Sequence, residues 1–252
     1  NKKIEKVIVQ GDTSTSYAIS LSGFHHNKKI IHVEAGLRTW DKNSPFPEEM
    51  NRVMISRLAD IHLCPTVKSV ENLKKEGILE EVYLVGNTVV DTFEYVSKNT
   101  EVPDKIKEII LGKKFVVVTL HRRENRGERI KEMWRELNEL SRSEDFKFIY
   151  IAHPSLPESK EILNERIQKL DPLDYISMVH LIKNCIGIIT DSGGLQEEAV
   201  CAGKKVLVCR DTTERPETIE SGYGKLIDTE IINNFDFLLE EFKEKVENPY
   251  GD

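Results

Sequence analysis

The feature that most limits the fold is a rhythm of short, unbroken apolar runs, most of them followed by a segment with helical spacing. The runs fall at 7–9, 30–33, 61–63, 82–85, 115–119, 148–152, 186–190 and 205–209, and helical spacing falls at 17–24, 48–58, 67–75, 129–140, 175–183 and 194–202. A strand with one wet face alternates apolar and polar residues, whereas a parallel strand covered by helices on both faces is apolar throughout. The chain is therefore predicted to be α/β, with doubly wound parallel sheets whose ligands sit beyond the carboxyl ends of the strands. Residues 159–165 read as a helix, 166–170 as a short strand or the end of that helix, and 235–246 as a closing amphipathic helix. Gly86-Asn87 ends a strand and a polar stretch with Pro103 follows. This suggests two Rossmann-like lobes, at 1–95 and 96–252.

With 252 residues the chain can bury the cores of two domains. A formal net charge of −7 argues against nucleic acid or an anionic membrane as the main partner. An anionic ligand must then be held by a few local cations and backbone N–H groups. Cys64, Cys185, Cys201 and Cys209 form no C-x-x-C pair, so neither a zinc site nor a thioredoxin-like motif is expected, and no metal is assigned. Three of them lie in or beside apolar runs as small core residues, which suits a reducing, cytoplasmic setting. No stretch has the length of a membrane span and the first residues lack a signal-peptide core. The chain enters a strand almost at once and stops at Asn-Pro-Tyr-Gly-Asp, so it is expected to be part of something longer.

Four segments put polar chemistry at predicted strand ends. In Thr190-Asp191-Ser192-Gly193-Gly194 a strand gives way to a helix, where bare amides at the positive end of the helix dipole can receive a phosphate. Glu198, further along, can accept from ribose hydroxyls. The plainer alternative is a tight turn with Glu197 and Glu198 solvated. In Gln10-Gly11-Asp12-Thr13 an acid stands at the crevice end of the first strand, or else Asp12 or Thr13 simply caps a helix. Glu34 ends the second strand, and the Pro-rich loop at 45–47 delivers Glu48 to a helix start with Arg52 one turn on. Glu48 and Arg52 can also form an ordinary i,i+4 ion pair. Acids arriving from three elements are what general acid/base chemistry at carbon needs. Finally, His121-Arg122-Arg123 can bind a pyrophosphate and exchange a proton near neutral pH. Arg215 can contact phosphate or pair with Glu214 or Glu217.

Together these segments resemble the non-hydrolysing UDP-N-acetylglucosamine 2-epimerases. The matches are Gly-Asp-Thr at 11–13, His-Val-Glu-Ala-Gly-Leu-Arg-Thr at 32–39, Pro-Phe-Pro-Glu-Glu at 45–49, Asn-Arg at 51–52, Ala-Asp at 59–60, Pro-Thr at 65–66 and Gly-Asn-Thr at 86–88. They continue with His-Arg-Arg-Glu-Asn at 121–125, Asp-Ser-Gly-Gly-Leu-Gln-Glu-Glu-Ala at 191–199 and Arg-Asp-Thr-Thr-Glu-Arg-Pro-Glu at 210–217, in family order.

The resemblance implies a glycosyltransferase-B type fold of two Rossmann lobes with a UDP-sugar in the cleft. It further implies no cofactor and no metal, a homodimer for the full-length enzyme, and a role in cell-surface polysaccharide biosynthesis. The implied reaction is elimination of UDP to a 2-acetamidoglucal, then re-addition with C2 protonated on the other face. By carry-over Asp12, Glu34, Glu48 and His121 form the acid/base and transition-state set, with Glu48 and Asp12 foremost as proton carriers at C2. Arg52, Ser192, Gly193, Gly194, Glu198 and Arg215 contact UDP.

Some features depart from the family. Its opening Gly-Thr-Arg-Pro-Glu motif, whose Arg contacts the nucleotide together with a nearby Lys, does not occur. The first lobe is therefore read as incomplete by two or three βαβ units of about 30 residues each. The closing crossover helix is likewise not reached. Met178 stands where the family stacks an aromatic residue on the uracil, Ile151-Ala152-His153 replaces Pro-Val-His, and the link from Pro154 to Pro172 is short. The alternatives are a hydrolysing epimerase or a nucleotide-sugar transferase of the same fold, and a fragment inactive as written. A transferase has no need of acids at all three of Asp12, Glu34 and Glu48. A sheet without its first strands exposes an apolar face and an edge.

Overall fold

A computed structural model describes residues 4–112, 114–122, 125–143, 145–153, 164–242 and 246–251. Arg123, Glu124 and most of the helix expected at 159–165 lie outside them. The chain forms two compact units, one of Asn1–Thr88 with Pro249–Asp252 and the other of Val89–Asn248.

The first unit runs β1 (Lys6–Gln10), α1 (Ser14–His25), β2 (Lys29–Val33), α2 (Glu48–Leu58), β3 (Ile61–Cys64), α3 (Val67–Lys75) and β4 (Val82–Leu84). All four strands are parallel, in the order β1-β2-β3-β4. Two helices begin on threonine caps, where Thr13 Oγ1 accepts from Ser16 N and Thr66 Oγ1 from Ser69 N, each at 3.1 Å. Of the two caps weighed above Thr13 takes the role, and the Asp12 carboxylate is left for other work. Burial departs from the sequence pattern at the sheet edges. Ile8 in β1 is 68% exposed, and Tyr83 and Leu84 in β4 are exposed as well, so these apolar runs are not covered on both faces.

The second unit runs α4 (Thr88–Asn99), α5 (Asp104–Ile110), β5 (Phe115–Thr119), α6 (Glu128–Leu140), β6 (Lys147–Ile151), β7 (Ile167–Leu170), α7 (Tyr175–Asn184), β8 (Gly187–Thr190), α8 (Gly193–Cys201), β9 (Lys205–Cys209), α9 (Pro216–Glu220), β10 (Gly224–Ile227) and α10 (Ile231–Asn234). Its parallel strands lie in the order β10-β9-β8-β5-β6-β7. Every residue of β5, β8 and β9 is buried, as continuous apolar runs require.

Several expectations need adjustment. The stretch 166–170 resolves as the strand β7. The polar stretch after Gly86-Asn87 contains α4, whose Val90, Phe93 and Val96 recur at helical spacing and turn inward. The sequence sets the lobe division at 95, inside α4, whereas the compact units part between Thr88 and Val89. The last residues return to the first unit, where Asn87 N donates to Tyr250 O at 2.9 Å. The closing helix at 235–246 does not form over its described part. Phe235–Leu238 is a single 3-10 turn and residues 239–242 are not helical. Phe235 and Leu238 are spent on the core, and a Cβ at Gly187 would stand 3.0 Å from Leu238. The elements α5, α9, β10 and α10 go unread in the sequence.

Candidate active site

In the first unit, the carboxyl ends of β1 and β2 bring two acids together. Gly11 turns the chain after β1 at φ +69°, and Glu34 Oε2 lies 3.3 Å from where a Cβ on Gly11 would stand. The positive φ is what calls for a glycine, and the Glu34 carboxylate lies close against it. Glu34 itself has φ +64°, a left-handed conformation that costs a non-glycine residue roughly 1 kcal/mol or more. Such strain at a polar strand end is the kind that clusters at functional sites. Asp12 is held from α2. Arg52 donates to Asp12 Oδ2 through Nε at 3.1 Å and Nη2 at 2.6 Å, and Asn51 Nδ2 donates to the Asp12 carbonyl at 2.9 Å.

Arg52 is buried and braced in turn. Its Nη1 donates to Glu49 Oε2 at 2.9 Å, and the Glu49 carboxylate also accepts the amides of Thr39 and Trp40. The i,i+4 pair between Glu48 and Arg52 is therefore not the one formed, because Asp12 and Glu49 take the guanidinium. The side chain of Glu48, half-buried at the first position of α2, makes no hydrogen bond or ion pair among the described residues. Beneath this cluster the buried imidazole of His32 places Nε2 2.8 Å from the Gly11 carbonyl, and burial pushes its pKa down to about 4.

In the second unit the strand order itself marks a site. Numbered from its own first strand, β10-β9-β8-β5-β6-β7 is the doubly wound order in which the chain goes one way from β5 and the other way from β8. Ligands of such sheets sit at that switch point, beyond the carboxyl ends of the two adjacent strands. His121 follows β5 and Asp191 follows β8. Asp191 is fully buried. Its Oδ2 accepts the amides of His121 (2.9 Å) and Arg122 (2.8 Å) and Asn125 Nδ2 (2.9 Å), and its Oδ1 lies 3.2 Å from His121 Nδ1. The ring of His121 stacks on that of His153, with centroids 4.7 Å apart and planes inclined at 20°. Burial lowers the His121 pKa, Asp191 opposes that, and His153 and Arg122 add to the lowering. Arg122 Nε is buried with no hydrogen-bond partner among the described residues.

The turn into α8 is only partly as expected. The amide of Ser192 is not bare, since it donates to Thr190 Oγ1 at 2.9 Å, which leaves those of Gly193 and Gly194. Gly194 opens onto free space. Gly193 is glycine for a different reason, because the Arg215 guanidinium passes over it and Glu214 Oε1 stands 2.8 Å from the position of a Cβ. Arg215 pairs with Glu214, as weighed above, and also donates through Nε to Glu197 Oε1 at 2.6 Å. Glu197 is therefore buried and paired rather than solvated. Glu198 is half-buried, and burial, helped by Glu197, pushes its carboxyl up to about 7. Met178, on α7, is half-buried and packs against the core of the second sheet. Among the described residues no group of three or more His, Cys, Asp or Glu side chains can hold a metal ion.

Sequence reasoning passed over three residues that organise these clusters, namely Asp191, Asn125 and Glu49. An acid closing an apolar run marked Asp191. Nothing in the sequence distinguished Glu49 from Glu48.

Two parallel α/β sheets, the second with its switch point between β5 and β8, put the chain in the glycosyltransferase-B class of folds. Within that class it belongs to the UDP-N-acetylglucosamine 2-epimerase family, whose sequence signature matches residues 1–252. A UDP-N-acetylglucosamine 2-epimerase of Salmonella borreze is 41% identical over 98% of this chain and 71% of its own length. The Methanocaldococcus jannaschii UDP-GlcNAc 2-epimerase, solved in complex with UDP-GlcNAc and UDP, superposes with a TM-score of 0.90 at 34% identity, covering 98% of this chain and 72% of that one. The Neisseria meningitidis enzyme bound to UDP-GlcNAc gives 0.85 at 35% identity with the same coverage.

Proposed function

We propose that the protein interconverts UDP-N-acetylglucosamine and UDP-N-acetylmannosamine without hydrolysis, by anti elimination and re-addition of UDP. The C2–H bond breaks with its proton passing to a carboxylate, the electron pair forms C1=C2, and the C1–O pair leaves with UDP. On return a proton reaches C2 from the opposite face and the diphosphate oxygen re-bonds C1. This sequence needs more than one acid/base group at a single carbon. The observation that carries it is the set of acids at the strand ends of the first unit, with Asp12 fixed by Arg52, Glu34 beside Gly11, and Glu48 unpaired at the head of α2.

In this reading Glu48 and Asp12 are the proton carriers at C2, and Glu34 and His121 support charge in the transition state. Arg122 and the amides of Gly193 and Gly194 hold the diphosphate, Glu198 takes the ribose, and Met178 lies against the base. Arg52 and Arg215 keep neighbouring carboxylates in place as well as adding positive charge for UDP. Buried guanidinium–carboxylate pairs are expensive to break, so such a site is preorganised before ligand arrives.

The test is solvent exchange. In D2O the protein, in the longest form its gene encodes, is expected to place deuterium at C2 of both UDP-sugars. Glu48→Gln should abolish this while leaving the circular dichroism spectrum and melting temperature unchanged. Turnover without exchange at C2 overturns the reading. Release of free UDP with N-acetylmannosamine would assign the protein to the hydrolysing reaction instead.

A further inference from the structure

We infer that Asp191 is the positioning residue of His121, fixing the imidazole with its proton on Nδ1 and leaving Nε2 as the nitrogen that meets the ligand. The inference rests on the proposed part of His121 in the reaction, and goes beyond it by assigning a tautomer and the residue that sets it.

A carboxylate offers acceptors only. Oδ2 of Asp191 already receives three N–H donors, from the amides of His121 and Arg122 and from Asn125 Nδ2. Oδ1 receives the His121 amide at 3.0 Å and stands 3.2 Å from Nδ1 of the same residue. An unprotonated Nδ1 would set its partial negative charge 3.2 Å from an oxygen of a fully buried carboxylate, whereas a protonated Nδ1 turns the contact attractive.

The carboxylate cannot easily turn away. Asn125, which donates to it, also donates to the Cys209 carbonyl at 3.0 Å, so the group is tied to the end of β9 as well as to the loop after β5. His153, stacked on the ring, limits its tilt. His121 Nε2 has no partner among the described residues, and the side chain is 27% exposed. A purely structural role for Asp191, tying down the loop after β5, would account for the two amides and leave the tautomer of the ring unmoved when Asp191 is replaced. Among the described residues the titratable and charged groups facing His121 are Asp191, His153 and Arg122. Of these only Asp191 favours the protonated ring, against burial and the other two.

Nitrogen NMR of the wild-type protein tests this without any substitution. His121 should show a protonated Nδ1 and a pyridine-like Nε2 once the ring is neutral. In Asp191→Asn the three donors should hold the amide oxygen at the Oδ2 position, leaving the NH2 group to face Nδ1. The ring should then switch to the Nε2–H tautomer and its pKa should fall. The kcat should drop on the order of 10³-fold with KM nearly unchanged. In a His121→Gln background the same substitution should cost less than about twofold, because Asp191 acts through His121.

A wild-type ring protonated on Nε2 overturns the inference, and remains decisive should Asp191→Asn fail to fold. So does a tautomer unmoved in Asp191→Asn, or losses that multiply in the double variant. The expected tautomer in a protein that exchanges no deuterium at C2 would instead sink the epimerase reading and leave the positioning of His121 standing.

Discussion

The strand that opens the first unit, Lys-Val-Ile-Val-Gln at 6–10, and the strand at the centre of the second, Phe-Val-Val-Val-Thr at 115–119, are nearly the same word in sequence. Their surroundings differ. Every residue of β5 is buried, and fully covering a side chain of that size contributes about 1.5–3 kcal/mol. In β1 only Val9 is buried. The buried apolar cluster around β1 is Val9, Ile30 and Ile55, whereas two broad clusters cover the faces of the second sheet. The units also organise their polar ends by different means. In the second, the reversal of strand order at β5 and β8 creates a crevice, and one buried aspartate ties its lip together. The first has sequential strand order and no reversal. There Arg52 joins Asp12 to Glu49 in a chain of ion pairs. The second unit also has a buried chain of ion pairs, Arg210–Glu214–Arg215–Glu197, but sets it against a far larger apolar core.

The largest expected effect follows from that difference. Arg52→Met leaves Asp12 and the buried Glu49 without their cation, and breaking a buried pair in this way costs about 3–5 kcal/mol. Amide hydrogen exchange should show β1 to β4 losing protection while β5, β8 and β9 keep theirs. Arg215→Met in the second unit takes the guanidinium from buried Glu197, but Glu214 retains Arg210 Nη1 at 2.9 Å, so it should cost less than Arg52→Met, which strips both of its carboxylates. Equal losses from the two substitutions, or protection lost across both sheets at once, would break the comparison.

What could be read beforehand follows the same division. The strands at 115–119 and 205–209 and the helices at 48–58 and 67–75 emerge with the bounds expected of them, since continuous apolar runs and helical spacing leave no other reading. Asp12, Glu34, Glu48 and His121 were visible as polar residues where strands or loops end. The partners they take were not, because pairing depends on geometry. Arg52 reaches Asp12 forty residues away instead of Glu48 one turn back, and Asp191 reaches the loop after β5 from the next strand. The 3-10 turn at 235–238 escaped because Phe235 and Leu238, spaced like helix residues, are claimed by the core over Gly187.

Acid offers a second way to sharpen the contrast. His32 lies in β2 opposite His62 in β3, both are buried, and the Nδ1 of each lacks a partner among the described residues. Burial lowers both pKa values, that of His32 from 6.5 to about 4. The folded first unit therefore binds fewer protons than the unfolded chain between these values. This contribution is fully present above 6.5 and is lost as pH falls toward 4, and the interval is worth roughly 3 kcal/mol. Urea melts followed by hydrogen exchange should show β1 to β4 weakening over this window, and His32→Gln should flatten the dependence. A first unit whose stability is level from pH 7 to 4.5 would mean that these imidazoles are already protonated or solvated.

The smallest effect isolates packing from everything polar. Ile8 in β1 and Ile188 in β8 occupy strands of similar composition, but the first is 68% exposed and the second fully buried. Removing one methylene from a filled interior costs about 0.5–1.5 kcal/mol, while the same change at an exposed position stays within about 0.5 kcal/mol. Ile188→Val should therefore lower the denaturation midpoint of the second unit, and Ile8→Val should leave that of the first unmoved. The informative failure is a measurable cost at Ile8. It would mean that the outer edge of β1, unpaired among the described residues, is covered in solution, since an apolar parallel strand with a free edge is a template for further pairing. Repeating the pair at tenfold lower protein concentration distinguishes the two origins. A cost that vanishes on dilution comes from association of chains through β1, and one that persists comes from packing within the chain.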